Sequence, residues 1–198
     1  MEIVVQIPFA TDLNLGRACN EAMERVPDGG WGVLMDHDIH MTTPHWFAQI
    51  EEAIACLPDA GAFCVVTNRC ASPWQRAEEG VGAGDSLEAH YRVGEVRRAR
   101  RTLIDITPTK GYAGLLQVVS KEAWRETKGF AEPSLLCCDH SIFFGLKANG
   151  RRIYMLENLY VYHRRVTSSA RNQSHLPKWA DCPCRGAEIM PSERITLP

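Results

Sequence analysis

Two aspartates separated by one residue, Asp36 and Asp38, follow the apolar run Val33-Leu34-Met35, with His37 between them and His40 just beyond. Side chains of an extended chain alternate between faces, so these two carboxylates project to the same side. Paired in that way they repel each other unless positive charge joins them. A divalent cation with oxygen ligands, bridging to a substrate phosphate, is the usual partner. A surface turn holding two solvated aspartates has the same local sequence, so the pair alone leaves both readings open. His163 ends the apolar run Leu159-Tyr160-Val161-Tyr162, as a ligand or as a solvated strand end. Asp139 stands near the start of a helical pattern, where an aspartate serves as a helix cap. A phosphoesterase built on Asp36, Asp38, His40 and His163 would use the same groups. Cys137, Cys138, Cys182 and Cys184 form a further possible set, for zinc, although both pairs are closer together than the C-x-x-C spacing of most zinc sites.

Such residues need rigid elements to hold them. "EIVVQIP" is a β-branched apolar run stopped by Pro8, a strand. Leu15, Ala18, Cys19, Ala22, Met23 and Val26 recur at helical spacing until "PDGG" ends the pattern. "WGVLMD" is a second strand. "TTPHWFAQIEEAIACL" predicts a helix with Thr43 as its cap and Pro44 in its first turn. "AFCVVT" is a third strand, and the alternation of strand and helix predicts an α/β domain with a mostly parallel central sheet flanked by helices. Residues 68–110 lack periodicity and read as a loop or lid. "YAGLLQVVS" predicts a strand, "SKEAWRETKG" a short helix capped by Ser120, "DHSIFFGLKANG" another helix, and "RIYML" and "LYVYH" two strand-like pieces. Residues 166–198 read as an extended arm or tail.

The 198 residues suit one domain rather than two, and 45% hydrophobic with 23% charged residues is an ordinary globular balance. A net charge of -2 gives no general attraction to nucleic acid or to acidic membranes. No apolar run is long enough to span a bilayer, and neither a signal peptide nor a disulfide framework is apparent, so a cytoplasmic location is expected. The one basic cluster runs from Arg92 to Arg101. It is either a solvated surface or an arm that closes on a diphosphate or an anionic acceptor.

Taken in order, three segments resemble the family-2 glycosyltransferases of the GT-A fold, which use nucleotide-diphosphate sugars. "NLGRACNEAMERVPDGGWGVLMDHDIHMTTPHW" resembles the family's helix, strand, D-x-D and Thr-Pro helix. "GYAGLLQVVSKEAWRETKGFAE" resembles its acceptor-side strand and helix, and "CCDHSIFFGLKANGRRIYMLENLYVYH" the stretch from the catalytic acid to a terminal V-x-H. Together they cover most of residues 1–165. The chain departs from the family in having Cys138 where a glutamate is usual, and in passing almost directly from the first strand to the D-x-D segment. It also lacks the motif that marks processive synthases.

The resemblance implies a single GT-A-like domain over 1–165. Its nucleotide-sugar and metal half would be 1–67, and its acceptor and base half, a small subregion, 111–165. It implies Mn²⁺ or Mg²⁺ held by Asp36, Asp38 and His163, and a general base at Asp139. Donor contacts would come from Pro8, Phe9, Asp12, Arg17, Asn20, Asp36 and His37, and acceptor-side contacts from Gly114, Cys138 and His140. The expected partners are a nucleotide-diphosphate sugar, a UDP-sugar favoured, and a hydroxyl acceptor, with transfer by inversion. A nucleic-acid acceptor is unsupported by the net charge. The alternative from another class is a catalytically silent module that only binds the nucleotide sugar.

Overall fold

All eight residues of the run Ala60–Thr67 are buried, which a strand achieves only when both faces of its sheet are covered. Alternation along it assigns each residue to one of two cores: Phe63 and Val65 to one side, Cys64 and Val66 to the other. The computed structural model describes residues 1–164, 178, 190 and 193–197.

The described strands are β1 (Ile3–Gln6), β2 (Trp31–Met35), β3 (Ile39–Met41), β4 (Ala60–Thr67), β5 (Thr102–Asp105), β6 (Leu116–Ser120), β7 (Arg152–His163) and β8 (Glu193–Thr196). The helices are α1 (Leu15–Glu24), α2 (Trp46–Cys56), α3 (Glu78–Gly82), α4 (Leu87–Arg98), α5 (Lys121–Glu126) and α6 (Cys138–Ala148). One sheet in the order β1-β2-β6-β4-β7-β5-β8 joins the strands, and β3 lies against the end of β7. The chain is therefore a mixed α/β protein with its central sheet flanked by helices. β1, β2, β4 and β7 share one direction, but β6 enters between β2 and β4 against them, so among the described strands directly parallel neighbours occur only at β1/β2 and β4/β7. Buried residues of α1, α5 and α6 cover one face of the sheet, and Ile50, Ala53 and Ile54 of α2 the other.

Several expectations need correction. Residues 68–110 are not a loop, since they hold α3, α4 and β5. The buried face of α4 is His90, Val93, Gly94 and Arg97, so hydrophobic periodicity had almost nothing to register there. Gly94 lets α4 lie directly on the backbone of Thr42, where any Cβ would meet the Thr42 carbonyl. Thr43 does not cap α2; the cap position is His45, in a left-handed conformation. The Thr43 hydroxyl instead donates to the Tyr160 carbonyl at 2.8 Å and accepts from the Tyr160 N–H at 2.9 Å. There the register between β4 and β7 shifts, and β7 needs an outside partner. "RIYML" and "LYVYH" are one strand, and "YAGLLQVVS" is strand only from Leu116. Within the expected tail, Glu193–Thr196 pairs antiparallel with β5. The tail cysteines Cys182 and Cys184 lie outside the described residues. Ser120 caps α5 as expected, accepting from the Ala123 N–H. Among the described residues no helix is long and apolar enough to cross a membrane.

Candidate metal centre and flanking cavities

β2, β4 and β7 end at the same edge of the sheet, the edge at which α/β folds bind their ligands. β2 delivers Asp36 and Asp38, β4 delivers Asn68 and Arg69, and β7 delivers His163. β3 determines the pairing, because Ile39 lies opposite His163 and sets the preceding turn beside the end of β7. Asp36, Asp38 and His163 each offer one ligand atom, all within 4.8 Å of one another. His163 Nε2 lies 3.3 Å from Asp38 Oδ2. His163 Nδ1 is 3.0 Å from the Arg69 carbonyl, which can only accept, so Nδ1 carries a proton and the ring turns Nε2 toward the aspartates. The Asn68 side chain accepts from the His163 N–H at 2.9 Å.

Burial, then the charges of Asp38 and Asp139, push the Asp36 carboxyl up to about 7. All three causes act in one direction, so the cluster calls for a proton or a cation. Two carboxylates and an imidazole form the mixed oxygen and nitrogen donor set that suits Mn²⁺ and, less selectively, Mg²⁺.

Asp139 lies in the first turn of α6, one residue past its start, and the cap position is Cys137, in a left-handed conformation. Asp139 is thus not the cap that its sequence position allowed. Its Oδ2 accepts from the Gly114 N–H at 2.8 Å and its Oδ1 from the His140 N–H at 2.9 Å. Gly114 is required for this approach, because a Cβ there would stand 2.6 Å from the Asp139 Cβ. A cavity of about 230 Å³ is lined by Asp36, His163, Pro8, Cys70, Gly114, Gln117 and Asp139. A second, of about 450 Å³, is lined by Trp74, Lys110, Tyr112, His140 and Asp139. Asp139 belongs to both and stands between them.

The other expected residues divide clearly. Pro8 lines the first cavity, whereas Phe9 is 77% exposed and lines neither. Arg17 is held in exposed ion pairs with Asp12 and Glu21, both at 2.8 Å. Asn20 holds the fold together: its carbonyl accepts from the Phe130 N–H and from Trp124 Nε1, and its amide donates to the Phe130 carbonyl. These three, with Asp12, do not face the Asp36 cavity. His37 is exposed in the turn between the aspartates, and His40 stacks on Tyr162, outside the metal-ligand group. Cys138 is buried against Cys19, and that contact with burial raises its thiol pKa. Cys137 lines both cavities. The Arg92–Arg101 cluster is not aimed at either cavity. Arg97 and Arg100 share Glu79, Arg101 pairs with Glu52, and Arg92 with Glu88. Sequence reasoning missed Gln117, Trp74 and Lys110, because nothing in their spacing sets them apart from core or surface.

Fold and site together define an α/β protein with a candidate acidic metal centre at the strand ends of its sheet. Compared with known proteins, the sequence matches no family model and no curated relative.

Proposed function

We propose that this chain is a metal-dependent glycosyltransferase with a compact GT-A-like domain, moving a sugar from a nucleotide-diphosphate sugar to a hydroxyl acceptor. The observation that carries the reading is the meeting of Asp36, Asp38 and His163 within 4.8 Å, from separate parts of the chain, beside a cavity lined by Asp36, His163 and Asp139.

Asp36, Asp38 and His163 would hold Mn²⁺ or Mg²⁺, which when bound neutralises the diphosphate of the donor. The sugar occupies the cavity of about 230 Å³ and the acceptor the larger one. Asp139 borders both, so its carboxylate reaches an acceptor hydroxyl poised beside the sugar carbon and takes its proton as the new bond forms. The Gly114 and His140 amides hold that carboxylate in place. Attack from the face opposite the diphosphate inverts the anomeric configuration. Calorimetry with UDP and Mn²⁺ tests the site: the wild type binds only with the cation, and Asp38→Ala loses that binding while keeping its fold. Equal binding in the variant removes the metal assignment.

One observation favours a second reading, a silent nucleotide-sugar binding module. Cys138 is buried against Cys19 beside Asp139, where the family has an acid. Mn²⁺-dependent hydrolysis or transfer of a donor sugar excludes it.

A further inference from the structure

Gln117 sits in the middle of β6 and is only 3% exposed, yet it lines the cavity that joins Asp36 to Asp139. Its side-chain carbonyl accepts from the Tyr112 hydroxyl at 2.7 Å. Among the described residues nothing accepts from its amide nitrogen. The orientation of this carboxamide follows from its surroundings. Tyr112 is fully buried, and its hydroxyl donates to the Gln117 carbonyl, its described partner; a phenol can also accept, so the carboxylate across the cavity decides the orientation. Turning the group over would aim the carbonyl oxygen, instead of the NH₂, toward the carboxylate side of the cavity, where like partial charges meet. The amide therefore points into the cavity as a fixed donor.

What it faces is visible at Gly114. The position that a Gly114 Cβ would occupy is 3.3 Å from Gln117 Nε2 and 3.3 Å from Asp139 Oδ2. A donor and an acceptor thus lie near each other on one side of Gly114, in the lining of one cavity, and a side chain at residue 114 would crowd both. A hydroxyl has both functions, accepting from the amide while donating to the carboxylate. No single-function group, such as a phosphate oxygen or an ammonium, satisfies both sides. Gln117 and Gly114 line the metal-side cavity and not the larger one, so the hydroxyl belongs to what that cavity holds.

Resting on the glycosyltransferase reading, we propose that Gln117, oriented by Tyr112, is the residue that selects the donor sugar, by binding a ring hydroxyl between its amide and Asp139 Oδ2. The ligand class is a nucleotide-diphosphate sugar carrying a free hydroxyl at the matching ring position. A sugar that lacks it, or presents it on the other face, leaves the buried amide without a partner and is discriminated against.

The test is calorimetry with Mn²⁺ and, in separate titrations, UDP, UDP-glucose, UDP-galactose and UDP-N-acetylglucosamine, on the wild type and on Gln117→Met. The expected result is unchanged affinity for UDP, a roughly tenfold loss for whichever sugar nucleotide the wild type binds most tightly, and near-equal affinities for the epimers in the variant. Tyr112→Phe keeps the ring but frees the carboxamide, and it gives a smaller loss in the same direction. That variant decides the matter if Gln117→Met fails to fold. Unaltered sugar preference in the folded variants overturns the role of Gln117 and leaves the glycosyltransferase reading standing. A wild type that binds none of the four compounds overturns both.

Discussion

Asp36 is the residue at which the site's chemistry and the fold's stability meet. Its carboxyl ionises at about 7 in the fold against 3.8 for an ordinary aspartate, chiefly through burial and then through Asp38 and Asp139. A carboxyl whose folded pKa is raised keeps its proton longer in the fold than in the unfolded chain. Between those two values the folded state binds more protons, so stability falls as pH climbs from about 4 to about 7 and stays low above that. Without divalent cation, Asp36→Asn is therefore expected to be more stable than the wild type near pH 8, by roughly 2–4 kcal/mol. The difference shrinks as pH falls toward 4. Adding Mn²⁺ raises the melting temperature of the wild type far more than that of the variant. Thermal melts across this range with and without Mn²⁺ measure it, and parallel curves at every pH would show that Asp36 carries no such burden. Asp139 gives a second residue-level expectation. Asp139→Asn keeps the size and much of the hydrogen bonding to Gly114, so stability and donor binding stay close to normal while transfer falls by roughly 10²–10⁴. Normal transfer by the variant would remove Asp139 from the reaction. The spacing of Asp36 and Asp38 was legible as a possible ligand pair, but His163 lies far away in sequence and could be joined to them only through the resemblance. Gln117 was not legible at all, because a glutamine inside an apolar strand has no periodic signature and its meaning comes from Gly114 and Asp139 across the cavity.

Elements that carry long apolar runs were the readable ones. β1, β2, β4 and α1 fall where hydrophobic period and turn residues place them. The missed ones, α3, α4, β3, β5 and β8, are short or bury little aliphatic surface of their own; β5 contributes only Leu103 and Ile104. α4 packs through His90, whose ring stacks on Tyr162 at 3.9 Å between centroids and whose Nδ1 lies 2.6 Å from the Tyr160 hydroxyl. β3 is three residues long and exists because β7 offers it a partner. β7 is therefore the element on which the site depends, held by β4, β5, β3 and α4, and its irregularity after Leu156 is met by the hydroxyls of Thr43 and, at longer range, Thr42. Thr43→Val retains the shape of that side chain but strands the buried N–H of Tyr160 and leaves its carbonyl only the longer bond from the Thr42 hydroxyl, at 3.3 Å. Chemical denaturation is expected to show a loss of about 1–3 kcal/mol. Because Tyr160 is three residues from His163, Mn²⁺ affinity weakens as well. A variant with wild-type stability and wild-type Mn²⁺ affinity would mean that the irregularity is held by the sheet alone.

At the scale of the whole molecule, the site is a property of one edge of the sheet. Four chain segments leave or enter the sheet there: 36–41 after β2, 67–72 after β4, 112–116 before β6 and 161–164 at the end of β7. The start of α6 closes the cavity over them. A ligand bound there draws its contacts from segments far apart in sequence, and it stabilises the folded state by mass action without any segment having to move far. α4 stands apart, because its buried face is already packed on β7 and its arginines are already paired. To act as a lid, it would have to give up those contacts. Hydrogen exchange with and without UDP and Mn²⁺ separates the two possibilities. Protection is expected to rise in the four edge segments and at 135–140, and to stay unchanged over 87–98, which is already protected in the free protein. If instead the main gain falls on 87–98, α4 closes on the ligand and the rigid-edge description of the site is wrong.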